Sequence, residues 1–413
     1  MTSFEEMANY DKAIELNPND AGAYYNRGVA YYKQGKYQQA LADYDKALEL
    51  NPQGATIYND RGVIYYIQGR YQKAIANYNQ AILLNPQDFD SYNYRGIICE
   101  IQGNYQKAIA AFNRAILINS ESANAYANRG NTYYKHKEYK KALVDYKQAI
   151  LLQPDLAEVY SNCGSIYNIK KKYKKALFNY NQVIELNPND AVAYYNRGNV
   201  YSKQINERLA IADYTKAIEL NPNYTEAYYN RGCLYFQQKK YKQAIANYSK
   251  AIELNPNYTE AYYNRGCLYF QQKKYKQAIA NYSKAIKLNP NYTEAYYKNG
   301  FIYFKQKKYK QAIADLSRVI EINPTYTKAY QTRGLAYFEK KKYKQAIADL
   351  SRVIKINPSD ADAYNNRGVA YHEQGNTKQA IKDLEKAVKL CKQQGNQELY
   401  QKALNNLKKE YLS

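Results

Sequence analysis

The stretch TEAYYNRGCLYFQQKKYKQAIANYSKAIELNPNY, residues 225–258, is followed at once by the same 34 residues, 259–292, with one change, Lys287 for Glu253. So close a match points to recent duplication, and it sets the period in which the rest of the chain is to be read. Steps of 34 in both directions find Gly28, Gly62, Gly96, Gly130, Gly164, Gly198, Gly232, Gly266, Gly300, Gly334 and Gly368. An alanine stands 12 residues after each glycine, from Ala40 to Ala380. Counted from Ala21, eleven units reach residue 394 without insertion or deletion.

Each unit reads as two helices. Tyr24, Gly28 and Tyr31 recur at helical spacing in a first helix from Ala21 to about Gln34. Tyr37, Ala40, Tyr44 and Ala47 do so in a second, from about Lys36 to Leu50. Asn51-Pro52 closes it, because proline lacks an N–H and pushes its predecessor out of the helical region. Gly28 and Ala40 have almost no side chain, so the paired backbones can approach closely while the four tyrosine rows fill the core between them. One unit cannot bury its apolar face alone, so stability has to come from stacked neighbours. Residues 1–20 put Tyr10, Ala13 and Pro18 in the register of a second helix, which reads as a half-repeat. In 395–413, Leu399, Ala403, Leu407 and Tyr411 form one apolar stripe among lysines, as a terminal capping helix should.

The pattern Y-x2-R-G-x2-Y…A-x3-Y-x2-A…P at this period resembles the tetratricopeptide repeat (TPR) family, with Tyr in the family's Trp position, and the resemblance covers every unit. It implies an all-α fold: a right-handed α-solenoid superhelix of eleven helix pairs over 21–394, preceded by the half-repeat and followed by the capping helix, with the first helices lining a concave groove. Departures are few. Ser120 replaces a proline, Val183, Val319 and Val353 replace an alanine, and Ile205-Asn206-Glu207-Arg208 breaks the usual inter-helix turn, with a change of local curvature expected there.

Composition narrows the function. Hydrophobic residues at 46% and charged residues at 23% fit a globular chain. No apolar run approaches the roughly 18 residues that span a bilayer, and Met1-Thr-Ser-Phe-Glu-Glu carries no secretory pattern. A cytoplasmic location is the expectation. The five cysteines, Cys99, Cys163, Cys233, Cys267 and Cys391, lie far apart and read as reduced thiols. With only His136 and His372, and with no glycine-rich phosphate loop or Ser/His/Asp set, the chain is expected to be non-enzymatic, without cofactor or metal.

The candidate binding residues are therefore sorted by repeat position. Asn26, Asn128, Asn162, Asn196, Asn230, Asn264 and Asn366 share one position. A carboxamide offers both donor and acceptor, so stacked copies would make a ladder that grips an extended peptide by its backbone. The alternative is that each amide bonds to an adjacent repeat. Tyr195, Tyr229 and Tyr263, with Phe236 and Phe270 further along the helix, line the groove wall by the resemblance; the alternative is that they are half-buried contacts between repeats. Arg27 and its equivalents often have an aspartate at a matching place in the second helix, Asp43 in the first unit, and read as Arg–Asp or Arg–Asn ties between paired helices; the alternative is phosphate binding. The carboxylate clamp with which adaptors of this type hold a chaperone tail needs basic groove residues that only Lys298 and Lys328 approach.

Charge is uneven. Of the net +23, residues 225–360 supply +16, from 25 Lys and Arg against 9 Asp and Glu. Lys239-Lys240, Lys273-Lys274, Lys307-Lys308 and Lys340-Lys341-Lys342 fall at the turn inside each pair, where stacking would align them into a basic edge. The leading expectation is a scaffold or adaptor that holds a peptide segment of a protein partner in its groove. The alternatives are a nucleic acid or other anionic surface on the lysine edge, or the targeting region of a larger enzyme.

Overall fold

The computed structural model describes residues 3–412, with side chains from Glu6 to Lys409. All 24 elements among them are α-helices, and each repeat contributes a 13-residue helix, here called A, and a second helix, B, of 14 residues in the first ten repeats and 18, Thr377–Gln394, in the last. In the first repeat these are Ala21–Lys33 and Tyr37–Leu50, within a residue of the ends read from the sequence.

Local chemistry sets those ends. Asp20 accepts from the N–H groups of Gly22 and Ala23, capping the first A helix, and Asp88, Ser122, Asp190 and Asp360 cap later ones. The A–B turn needs one residue in the left-handed region. Gly35 (φ 72°), Gly69, Gly103 and Gly375 meet that need without a Cβ penalty, whereas Lys137, Lys171, Ile205, Lys239, Lys273, Lys307 and Lys341 meet it at φ between 55° and 61°. The Gly35 N–H donates to Tyr32 O at 2.9 Å and the Lys36 N–H to Tyr31 O at 2.9 Å. At Ile205 and Asn206 the same two bonds form, to Ser202 O and Tyr201 O, and the B helix begins in register at Glu207. The unusual residues there keep the hydrogen bonds and the left-handed residue of the other A–B turns. At the B–A turn, Asn51 Oδ1 accepts from the Gln53 N–H at 3.2 Å. Asn119 does the same for Glu121 at 3.0 Å, which keeps the turn in the unit where Ser120 replaces proline.

Within a pair, the glycine row lies against the B helix. A Cβ on Gly266 would sit 2.8 Å from Tyr282 Cε1, and one on Gly368 2.8 Å from Leu384 Cγ. Tyr44, Tyr78, Tyr146, Tyr180, Tyr248 and Tyr282 are fully buried there, with Phe112, Leu316, Leu350 and Leu384 in the same row. The sequence reading put four tyrosine rows in the core, and only this one is fully enclosed. Tyr24, Tyr31 and Tyr37 are half-buried, since a phenol can cover apolar surface while its hydroxyl stays wet. A cation lies over two of them: Arg27 Cζ is 5.6 Å from the Tyr24 ring centre and Lys36 Nζ 5.9 Å from that of Tyr31.

The helix row divides into two compact units, 1–213 and 214–413. In the first, helix Ser3–Leu16 sits in B-helix register: Asp11 accepts from Arg27 Nη1 at 2.8 Å, as Asp45 does from Arg61 one repeat later. In the second, helix Gln397–Leu412 covers the last pair. Its Ala403 and Leu407 are buried, Leu399 packs against Ala361, Leu390 and Cys391, and Asn406 Nδ2 donates to Asn365 Oδ1 at 3.0 Å. The Tyr411 side chain lies outside the described residues.

Candidate functional site

Residue spacing sends the asparagine row to the seam between consecutive A helices, because positions about 35 residues apart face one another there. Asn128 Nδ2 donates to Asn93 Oδ1 at 3.2 Å, Asn264 Nδ2 to the Tyr229 hydroxyl at 2.9 Å, and Asn162 Nδ2 to Asn131 Oδ1 at 3.0 Å. Asp60, in the same row, accepts from the Tyr25 hydroxyl at 2.9 Å. For these residues the inter-repeat bond is the realised alternative, and the amide that makes it still has a carbonyl oxygen and a second N–H. Asn366 Oδ1 accepts from its neighbour Asn365 at 3.3 Å. Asn26 is exposed, and Asn196 and Asn230 are half-buried.

The aromatic candidates pack more than they present. Tyr229 lies between Tyr258 and Tyr248, with ring centres 4.8 and 5.8 Å away, and Tyr263 repeats this with Tyr292 and Tyr282 at 4.9 and 5.7 Å. Burial pushes both phenols above their ordinary pKa. They are wedges between A and B helices, held by the close approach of the backbones. Tyr195 is half-buried in the equivalent place. Phe236 sits 6.3 Å from Tyr241, and Phe270 lies 5.9 Å from Tyr275 with Lys298 Nζ 5.5 Å from its ring centre.

Two cavities open along the A helices of the first unit. One, of about 260 Å³, lies among Phe89–Ile101, Ala123–Lys135 and Ala157–Ile169. It brings Asn128 and Asn162 together with Asn131, Glu100, Lys135 and Glu158. Asn131 is its centre: its Oδ1 accepts from the Tyr146 hydroxyl at 2.7 Å and from Asn162, while its Nδ2 donates to Glu158 Oε1 at 3.3 Å. Sequence reasoning missed Asn131. Its signal was a polar residue at a position held by Val29, Val63 and Ile97 in the preceding units.

The second cavity, of about 320 Å³, is lined by Tyr32, Asn59, Asp60, Asp90 and Tyr94 on Ala21–Lys33, Ala55–Ile67 and Phe89–Ile101. Burial raises the carboxyl pKa of both Asp60 and Asp90, with the Tyr25 hydroxyl pulling Asp60 part of the way back. A site with two carboxylates held above their usual range favours a cation between them. Asp60 was visible only as a gap in the asparagine row, and Asp90 not at all.

The lysines at the turns of the second unit, Lys239 to Lys342, are exposed. Among the described residues there is no cluster of His, Cys, Asp and Glu that could hold a metal ion, and no helix is long and apolar enough to cross a membrane.

Comparison with known proteins follows the repeat. A tetratricopeptide repeat model matches residues 21–53, 123–156, 191–224, 293–326 and 361–394, and a TPR repeat model matches 164–204, 232–273, 266–307 and 334–375. Two further tetratricopeptide repeat models match 59–125 and 213–246. No curated protein matches the chain. Among solved structures, YrrB, described as a TPR protein with an unusual peptide-binding site, is 29% identical, covering 46% of this chain and 97% of its own at a TM-score of 0.43. A MamA protein is 29% identical over 42% of this chain and 95% of its own, with a TM-score of 0.40. Yeast Tom70 is 16% identical over 95% of this chain and 96% of its own, with a TM-score of 0.37. With repeat models matched from residue 21 to residue 394 and a helix pair in every unit, the chain belongs to the tetratricopeptide repeat family.

Proposed function

We propose that the chain is a non-catalytic scaffold whose A-helix face over residues 21–169 binds an extended peptide segment of a partner protein. The observation that carries this reading is the pair of polar cavities on successive A helices, one amide-rich and one acidic. Around Asn128, Asn131 and Asn162, carboxamides can pair with backbone N–H and C=O groups without reading side chains. Around Asp60 and Asp90, a lysine or arginine of the peptide would relieve two carboxylates that burial disfavours. Register would then come from the acidic cavity and length from the amides.

A positional-scanning peptide library, read by fluorescence anisotropy against the full chain, tests this. The wild type should select a basic residue at one position, and Asp60→Asn/Asp90→Asn should abolish that selection. Asn128→Ala/Asn162→Ala should weaken all binders by about tenfold, the loss of one or two hydrogen bonds. A selection profile that neither pair changes would remove this face from the account.

The exposed lysines of the second unit favour a second reading, an anionic partner held at the A–B turns. Phosphate binding weakens steeply with salt, so titration of single-stranded RNA at two ionic strengths separates the two. Lack of retention at the lower one ends the second reading.

A further inference from the structure

Nine repeats carry an arginine next to the packing glycine, and the structure shows what holds it. Arg333 Nε and Nη2 donate to Asp349 Oδ2 and Oδ1 at 2.8 Å each, and Nη1 donates to Ser317 Oγ at 2.8 Å. Its Cζ lies 5.8 Å from the centre of the Tyr330 ring. Arg367 has the same surroundings in Asp383, Ser351 and Tyr364, with bonds of 2.6 to 2.9 Å. Arg129 and Arg197 keep the bidentate aspartate and take an asparagine as the third acceptor. In these four repeats the slot is a bidentate carboxylate from the same pair, a neutral acceptor from the preceding B helix, and an aromatic face, whereas Arg61, Arg231 and Arg265 meet an asparagine in place of the aspartate.

Two repeats have no arginine. At Cys163 the ligands have changed as well: Asn179 takes the aspartate position and Lys147 the place of the third acceptor. A cavity of about 540 Å³ lies there, lined by Leu143, Ile150, Tyr167 and Phe178 with lysines at its rim, and it offers a cation no carboxylate.

Asn299 is different, because the ligands remain. It is 3% exposed, and its Nδ2 donates to Ser283 Oγ at 3.3 Å, the bond that Arg333 Nη1 makes one repeat later. The short side chain ends there. Asn299 Oδ1 and Asp315 Oδ2 are both buried with no donor from the protein. Burial holds the Asp315 carboxyl up at about 6. Tyr296 stands where Tyr330 stands one repeat on. Helices Thr293–Lys305 and Tyr309–Ile322 keep the usual approach, since a Cβ on Gly300 would lie 3.4 Å from Ala312 O, as one on Gly334 would from Ala346 O.

We propose that Asp315, Asn299, Ser283 and Tyr296 form a binding site for a guanidinium group brought from outside the repeat, as an arginine side chain of a partner or as a small guanidino compound. Two buried acceptors without donors call for a ligand that only donates, and a planar fork with five N–H groups matches a carboxylate and a neighbouring acceptor together. An ammonium group would meet one acceptor at a time and lacks the flat face that lies on tyrosine. The nearby cations are engaged: Arg318 Nη1 pairs with Glu321 at 3.0 Å, and Arg333 is held by Asp349 and Ser317. Burial and the Asp315 carboxylate push the Tyr303 phenol up, and a phenol supplies no positive charge. Asp315 itself is half-buried and not enclosed, and the Arg333 side chain in the equivalent slot one repeat on is 17% exposed.

The test uses the full chain, titrated calorimetrically with ethylguanidinium, with ethylammonium and with acetyl-Gly-Arg-Gly-amide, while carboxyl ¹³C NMR follows the Asp315 titration. Ethylguanidinium should bind saturably, at least about tenfold more tightly than ethylammonium, and should lower the Asp315 midpoint. The arginine peptide should also bind; a tighter peptide identifies a partner side chain as the natural source, and equal affinity identifies a small compound. Binding should vanish in Asp315→Asn and in Asn299→Arg. The second variant restores the pattern of nine other repeats, so it remains a sound test should the first fail to fold. No saturable binding, equal binding of ethylammonium, or full binding to Asn299→Arg each overturns the proposal.

Discussion

A methyl group on Gly62 would lie 2.6 Å from Cε1 of Tyr78, closer than packed carbon atoms come. Glycine recurs at this position because a large side chain of the partner helix, an aromatic ring in the earlier repeats and Leu316, Leu350 or Leu384 in the last three, occupies the space of its Cβ. Gly62→Ala should therefore cost about 2–3 kcal/mol through overpacking, measured as a lower urea midpoint at unchanged m-value.

The same ring makes a second test. The Tyr78 hydroxyl is buried without a partner, whereas the Tyr146 hydroxyl donates to Asn131 Oδ1 at 2.7 Å. An unpaired buried hydroxyl contributes desolvation cost and no bond. Tyr78→Phe should be neutral or stabilising by up to about 1 kcal/mol, while Tyr146→Phe should destabilise by about 1 kcal/mol. Equal losses for the two would refute this distinction.

Ile205 holds φ 60° and is 84% exposed, a β-branched residue in the left-handed region with no packing to offset it. Ile205→Gly should stabilise the chain by about 1 kcal/mol, raising the thermal midpoint. Gly35→Ile, at the same turn position, should lower it by a similar amount.

Asp315 makes stability depend on pH in the direction opposite to a paired aspartate. Its carboxyl titrates near 6 in the folded chain and lower, in the ordinary range, when unfolded. Below the unfolded value both states are protonated. As pH rises through the window between the two values, the unfolded chain releases its proton first, and stability falls. By pH 7 the loss reaches about 1–2 kcal/mol after allowance for solvent screening. Denaturant titrations at pH 4.5 and 7 should show this loss in the wild type relative to Asp315→Asn. In Asn299→Arg, where the carboxylate gains a bidentate partner, the loss should vanish.

Little of the candidate site was legible before the fold was known, and what escaped did so for one reason. Asn128 and Asn162 were found because they share a repeat position, and both line the same cavity. Which atoms they have left for a ligand is decided by Asn93 and Asn131, residues 35 and 31 positions away on the preceding A helix. The tyrosine rows show the same division. Spacing marks Tyr24, Tyr31, Tyr37 and Tyr44 alike as helix-packing residues, but only Tyr44 is enclosed, because the Gly28 backbone lies against its ring.

The period, the two helices per unit, the proline and asparagine turns and the Arg–Asp ties were all written in the chain, since each depends on residues within one unit or on the one before it. Burial of individual polar atoms is set by groups from three or four helices at once. That is why the two donorless acceptors at Asn299 and Asp315, and the carboxylates of Asp60 and Asp90 facing one cavity, belong to the tertiary structure alone.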